Sequence, residues 1–156
     1  MPDTKAAPPA QAAAWVMLLA LSTAFALSQA FRTVAAILAA PLQAELGLTP
    51  QQLGSFAAAF HFAFGAMQLF MGIGIDLHGV RRTLLASFPL AVAGAVLSAL
   101  APGYGTLMLG QVLIGIGCAP AFLACTVFIA RHFAPARFSA VSGTILSLGS
   151  IGMLAT

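Results

Sequence analysis

The chain has 156 residues, 61% of them hydrophobic and 6% charged, with six Lys and Arg against three Asp and Glu. A soluble domain carries about 25% charged residues, so this few charges cannot coat a water-facing surface, and the mean hydropathy of +1.03 agrees. A soluble globular domain, a disordered chain, a nucleic-acid binder and a disulfide scaffold are excluded. Cys118 and Cys125 sit seven apart in an apolar run, match no metal spacing and read as small packing residues.

A membrane span needs about 20 mostly apolar residues, and the polar breaks divide the chain into five such runs. Residues 1–12 read as a disordered cytoplasmic tail. The first span covers about 13–39 and ends before Pro41 and the polar stretch Gln43–Gln52. Its beginning imitates a signal peptide, but the apolar run continues far beyond any cleavage site. The second span covers 53–75, with Thr49 as N-cap and Pro50 opening the helix. The third covers 83–100, the fourth 106–130 and the fifth 137–156, after Pro135. No ten-residue block alternates with period two, so barrels are excluded and the spans must be helical. Small residues recur every fourth position in Ser87, Ala91, Ala95, Ala99 and in Ser139, Gly143, Ser147. Such ladders let helix backbones approach closely, although an Ala-rich composition yields them too.

Lys5, Arg81, Arg82, Arg131 and Arg137 fall in breaks that share one side of the membrane. The other side receives Glu45 and the Ala101–Gly105 turn. By the positive-inside rule the N-terminus is cytoplasmic.

Ionisable groups inside a membrane are costly and mark candidate function. Arg32 lies deep in the first run, with Gln29 on the same helix face. A guanidinium there suits a carboxylate or phosphate; the alternative is an arginine snorkelling to the headgroups. His61 and Gln68 share a face of the second helix, where a histidine is either a proton relay or a packing residue. Gln111, Gly115, Cys118 and Phe122 form a stripe on the fourth, which Pro120 is expected to bend. No nucleophile–base set, paired acids or metal-ligand cluster appears, and Gly72-Ile73-Gly74 is no dinucleotide loop because no strand precedes it. An enzyme is not expected.

Gly72, Asp76, Gly79, Arg81 and Arg82 fit the pattern GxxxD(R/K)xGx(R/K)(R/K) between the second and third helices. This resembles the gating-loop signature of the major facilitator superfamily; Leu77 departs from it, and His78 is the nearest substitute for the usual base. Gln111–Gly117 is similar to that superfamily's RxLxGxG pattern, with glutamine in the arginine's place, so the arginine's role is not carried over. The 131–137 connection before Ser142-Gly143, and Phe31-Arg32-Thr33 leading to Glu45–Leu48, look alike as well. The resemblance implies an all-α membrane protein of twelve helices in two halves, each half holding two inverted repeats. This chain would supply helices one to four and most of helix five, as an N-terminal piece of a longer protein.

The resemblance further implies a secondary transporter of a small solute, with an anion as the candidate. Its site lies at mid-membrane, and the missing C-terminal half of the chain and the lipid bilayer are its partners. No bound cofactor is expected, only coupling to a proton or counter-solute gradient. Asp76 would latch the cytoplasmic side against a helix of the other half. Some members that carry phosphorylated or carboxylated solutes have an arginine on the first helix. A bacterial-type inner membrane is the expected location. The alternatives are a non-transporting multi-span module, such as an assembly or sensor subunit, and a small multidrug exporter, which would need an embedded glutamate absent here.

Overall fold

The computed structural model describes residues 8–154, with side chains described over 12–150. Six helices follow in chain order: α1 (Pro8–Ile37), α2 (Ala39–Leu46), α3 (Pro50–His78), α4 (Val80–Ala99), α5 (Tyr104–His132) and α6 (Pro135–Leu154). The described residues contain no strand. Four helices are long and apolar enough to span a membrane: α1 from Ala12, α3, α4 and α5. The fifth expected span corresponds to α6, which starts at Pro135 rather than 137.

The helix boundaries follow from proline, glycine and capping chemistry. α1 starts at Pro8, ahead of the expected residue 13, because prolines in a first turn lack only donors that would go unused there. The rest of the expected disordered tail, residues 1–7, lies outside the described residues. α1 stops at Ile37 because Pro41, four residues on, has no N–H for the Ile37 carbonyl and its ring crowds that oxygen. The chain then turns directly into α2, bridged by Leu42 N–H donating to Leu38 O at 2.9 Å. The stretch from Gln43, expected to be a loop, therefore begins inside a short helix. Gly47 ends α2 at φ 61°, in the left-handed region. Thr49 then caps α3 as expected: its hydroxyl accepts from Gln52 N–H, and the Gln52 side chain accepts from Thr49 N–H at 2.9 Å.

α5 is the centre of the bundle. Of its apolar window 61% is buried, against 22% for each of the other three spans. It packs mainly on α4 and α3, while α1 lies against α6 and α5. The seam with α4 is built by missing side chains. A methyl placed on Gly94 would stand 2.6 Å from Gly110 O and 2.8 Å from Ile114 N, and one on Gly117 would stand 2.7 Å from Ala91 Cβ. Backbones this close allow only glycine. The expected ladder on α4 is half right: Ser87 and Ala91 are buried and Ala91 meets Gly117, but Ala99 is exposed and Gly94, outside the ladder, also meets α5 backbone. On α6 the ladder Ser139, Gly143, Ser147 faces outward, and Val141, Ile145 and Gly149 form the buried face.

The packing also sorts the helix ends. The start of α1 meets the end of α5 through Trp15 and Phe133, whose ring centroids are 5.1 Å apart. Val80, Leu84 and Phe138 pack with Ile75 and Phe128 in the same cluster. Arg81, Arg82, Arg131 and Arg137 thus gather at one end of the bundle. At the other end Leu42, Leu46 and Tyr104 pack on Ala35, Phe56 and Leu107, near Glu45.

Candidate functional site

Midway along the bundle α1 faces α3 and α5, and Arg32 enters this region half-buried. Its guanidinium carbon lies 5.0 Å from the Phe64 ring centroid and 6.0 Å from that of Phe60. Phe60 and Phe64 are one turn apart on α3, with rings stacked at 5.8 Å. A cation over aromatic faces gains about 0.5–2 kcal/mol, which offsets part of its desolvation. Cys118 of α5 adjoins the guanidinium, and Ser28 of α1 hydrogen-bonds the Cys118 side chain.

The polar groups nearby are incompletely matched. Arg32 Nε and Gln111 Oε1 are buried and have no hydrogen-bond partner among the described residues. Gln111 is 2% exposed on the α5 stripe that also carries Ile114 and Cys118. Gln29, half-buried, adjoins Ser28 on α1. No carboxylate neutralises Arg32 among the described residues: the one ion pair there joins Asp76 to Arg131, and Glu45 lies at the far end. A half-buried guanidinium with an unmatched Nε is equipped to hold a polar or anionic solute.

Of the sequence candidates, Arg32 lies against Phe60 and Phe64 of α3, Gln29 is half-buried three residues earlier on α1, and Gln111 is buried on α5 two turns before Cys118. His61 stands apart, exposed, with its Nδ1 2.9 Å from Ala57 O, and it joins the region only through edge contact with the Phe60 ring. Gln68 serves packing instead, donating from Nε2 to Ala119 O at 3.0 Å beside Pro120. Sequence reading passed over Phe60, Phe64 and Ser28. The signal was available for the two phenylalanines, since their four-residue spacing makes one face with Gln68.

The loop residues lie at the arginine-bearing end. Gly79 ends α3 and begins α4 at φ 81°, a backbone that L side chains rarely adopt, so one residue suffices for the reversal. Gly72 lies against Leu123 of α5. Arg81 and Arg82 stand exposed in the first turn of α4. Asp76 meets Arg131 of α5 at 3.7 Å, both side chains more than half exposed, so the acid has a partner within this bundle.

A family model described as Major Facilitator Superfamily matches residues 19–156. The chain belongs to that superfamily. With its four spans it is an integral, multi-pass membrane protein. Over 113 residues it is 26% identical to a Mus musculus protein named "Solute carrier family 2, facilitated glucose transporter member 10". The match covers 72% of this chain and 20% of that protein, so the chain spans about a fifth of the curated relative's length. Within the superfamily's bundle, the Arg32 region and the Gly72–Arg82 loop occupy separate levels, one midway and one at the arginine-bearing end.

Proposed function

We propose that this chain forms part of a secondary transporter that moves a small solute across a bacterial-type inner membrane by alternating access. In this reading Arg32 contacts an anionic group of the solute, Gln29 and Gln111 contribute amide groups, and the remainder of the protein closes the site from the opposite side. One observation carries it: a half-buried guanidinium whose buried Nε has no hydrogen-bond partner and which meets no carboxylate among the described residues. An anion entering there would relieve the cost of the charge.

The test is uptake by the full-length protein. Arg32→Lys keeps the charge but loses the planar fork, so it should raise the apparent substrate constant without lowering expression. Arg32→Gln should nearly abolish uptake. Normal transport by that variant makes Arg32 a packing cation and removes the anionic solute. Similarity to a protein named as a glucose transporter favours a second solute, an uncharged sugar. Its hydroxyls would use the same donors, but Arg32→Lys would then cost little.

The arginine-bearing end faces the cytoplasm in this reading. Cysteine at Gln43 should react with an impermeant maleimide in intact cells, and cysteine at His78 should not. The reverse pattern inverts the orientation.

A further inference from the structure

α3 and α4 meet at Gly79, and just beyond that turn a cavity of about 410 Å³ lies between them. His78 from α3 and Arg82 from α4, both exposed, stand at its mouth. Phe70 and Met71 on α3 and Ala86 on α4 line its apolar depth. From His78 to Phe70 is eight residues, about 12 Å along a helix, so the cleft runs from the interface into the hydrocarbon. Its floor is closed by Gly74, where a methyl would stand 3.4 Å from Thr83 Cγ2. The floor hydroxyls are already engaged: Thr83 donates to Gly79 O at 3.0 Å and Ser87 to Thr83 O at 2.8 Å. Polar recognition therefore rests on the cationic mouth.

That mouth is uncompensated. Among the described residues the one acid at this end, Asp76, is paired with Arg131, and no carboxylate pairs with Arg81 or Arg82. The flanking surface is apolar and faces outward, with Leu77 74% and Leu85 64% exposed. We propose that the cleft binds an anionic phospholipid from the leaflet at the arginine-bearing end. Its phosphate sits at His78 and Arg82, and one acyl chain lies along Phe70, Met71 and Ala86. A basic pocket between membrane helices selects such headgroups. A zwitterionic lipid would bring an ammonium group for which the lining residues offer no carboxylate. The site is independent of the Arg32 region and of the transport reading.

Native mass spectrometry of the full-length protein in detergent tests this with three probes: phosphatidylglycerol, phosphatidylcholine and inorganic phosphate. Phosphatidylglycerol should be retained at least about fivefold over phosphatidylcholine, and Arg82→Gln should remove about that factor. Arg82→Lys should keep most of the binding, because a point charge still attracts phosphate. Ala86→Phe alters no charge but fills the cleft, and it should also weaken retention. Arg137→Gln, outside the cleft, should change it less than twofold. Each variant should keep its buried Cys118 unreactive to maleimide, which separates lost binding from lost folding. Equal retention of the two lipids overturns the proposal, as does wild-type binding by both Arg82→Gln and Ala86→Phe. Inorganic phosphate competing as well as the lipid does so too, because the site would then be a free-anion site.

Discussion

The two seams on α5 are built on opposite plans. Against α4 the backbones nearly touch, through Gly94, Gly110 and Gly117, and no side chain separates them. Against α6 the contact is made by bulky groups, Phe122, Cys125 and Ile129 meeting Phe138, Ser142 and Ile145 around a cavity of about 150 Å³. The α1–α6 contact likewise leaves about 200 Å³ among Trp15, Leu18, Val141 and Leu148. Lipid tails are as apolar as leucine, so burial alone gives little drive for helices to associate in a membrane. Closeness of packing is what remains. The α4–α5 pair is therefore the fixed part of the bundle, and α6 is the part held by side chains that can repack.

The largest effect should come from Gly94→Ala. Its methyl would meet Gly110 O and Ile114 N, backbone atoms of α5 that cannot rotate away. The helices must separate, at a cost of about 1–3 kcal/mol, the usual range for overpacking. Thermal unfolding of the full-length protein can be followed with a maleimide dye, because Cys118 and Cys125 are buried on α5 and react only when it opens. A clear fall in the midpoint is expected, and a wild-type midpoint would falsify the fixed seam. Gly149→Ala is the test on α6, at its contact with α1. There the methyl would meet a side chain rather than backbone, the edge of the buried Phe25 ring with Cδ1 2.8 Å away. The loss should fall at the low end of that range, about 1 kcal/mol. If Gly149→Ala unfolds the protein more readily than Gly94→Ala, the ranking of the α4–α5 seam over the α1–α6 contact is wrong.

The sequence carried the spans and the break points more fully than it carried the faces. Length and hydropathy alone mark the four long helices, and Thr49-Pro50 with Gln52 marks the start of α3 to the residue. α2 escaped because it is short and polar, although Pro41 already required a break at Ile37. The packing faces were harder to read for a physical reason: a lipid-facing surface is as apolar as a buried one, so hydrophobic patterning does not point inward. Spacing-four ladders of small residues consequently appear on the inner face of α4 and on the outer side of α6 alike. Polar residues escape this ambiguity because they stand out against any apolar background. Arg32, Gln29 and Gln111 were legible for that reason, and each is half-buried or buried within its helix. His61 stood out equally and points elsewhere, since oddity in sequence marks a residue but not its direction.

The smallest effect expected separates the two uses of glycine on α6. Gly143 has no atom within 4 Å of an added methyl, whereas Gly149 is filled by Phe25. With open space around it, Gly143→Ala meets no clash and removes the backbone freedom that makes glycine unfavourable in a helix, by about 0.5–1 kcal/mol relative to alanine. The midpoint of the full-length protein should therefore stay unchanged or rise slightly. A fall as large as that of Gly94→Ala would mean that another helix of the intact protein closes on this face of α6 as tightly as α4 closes on α5. Ser139, Gly143 and Ser147 would then be a true packing ladder, facing a partner outside the described residues, and Ser147→Leu would have to show the same loss. If both substitutions are neutral, that face of α6 meets lipid, and its small residues reflect only the composition of the chain.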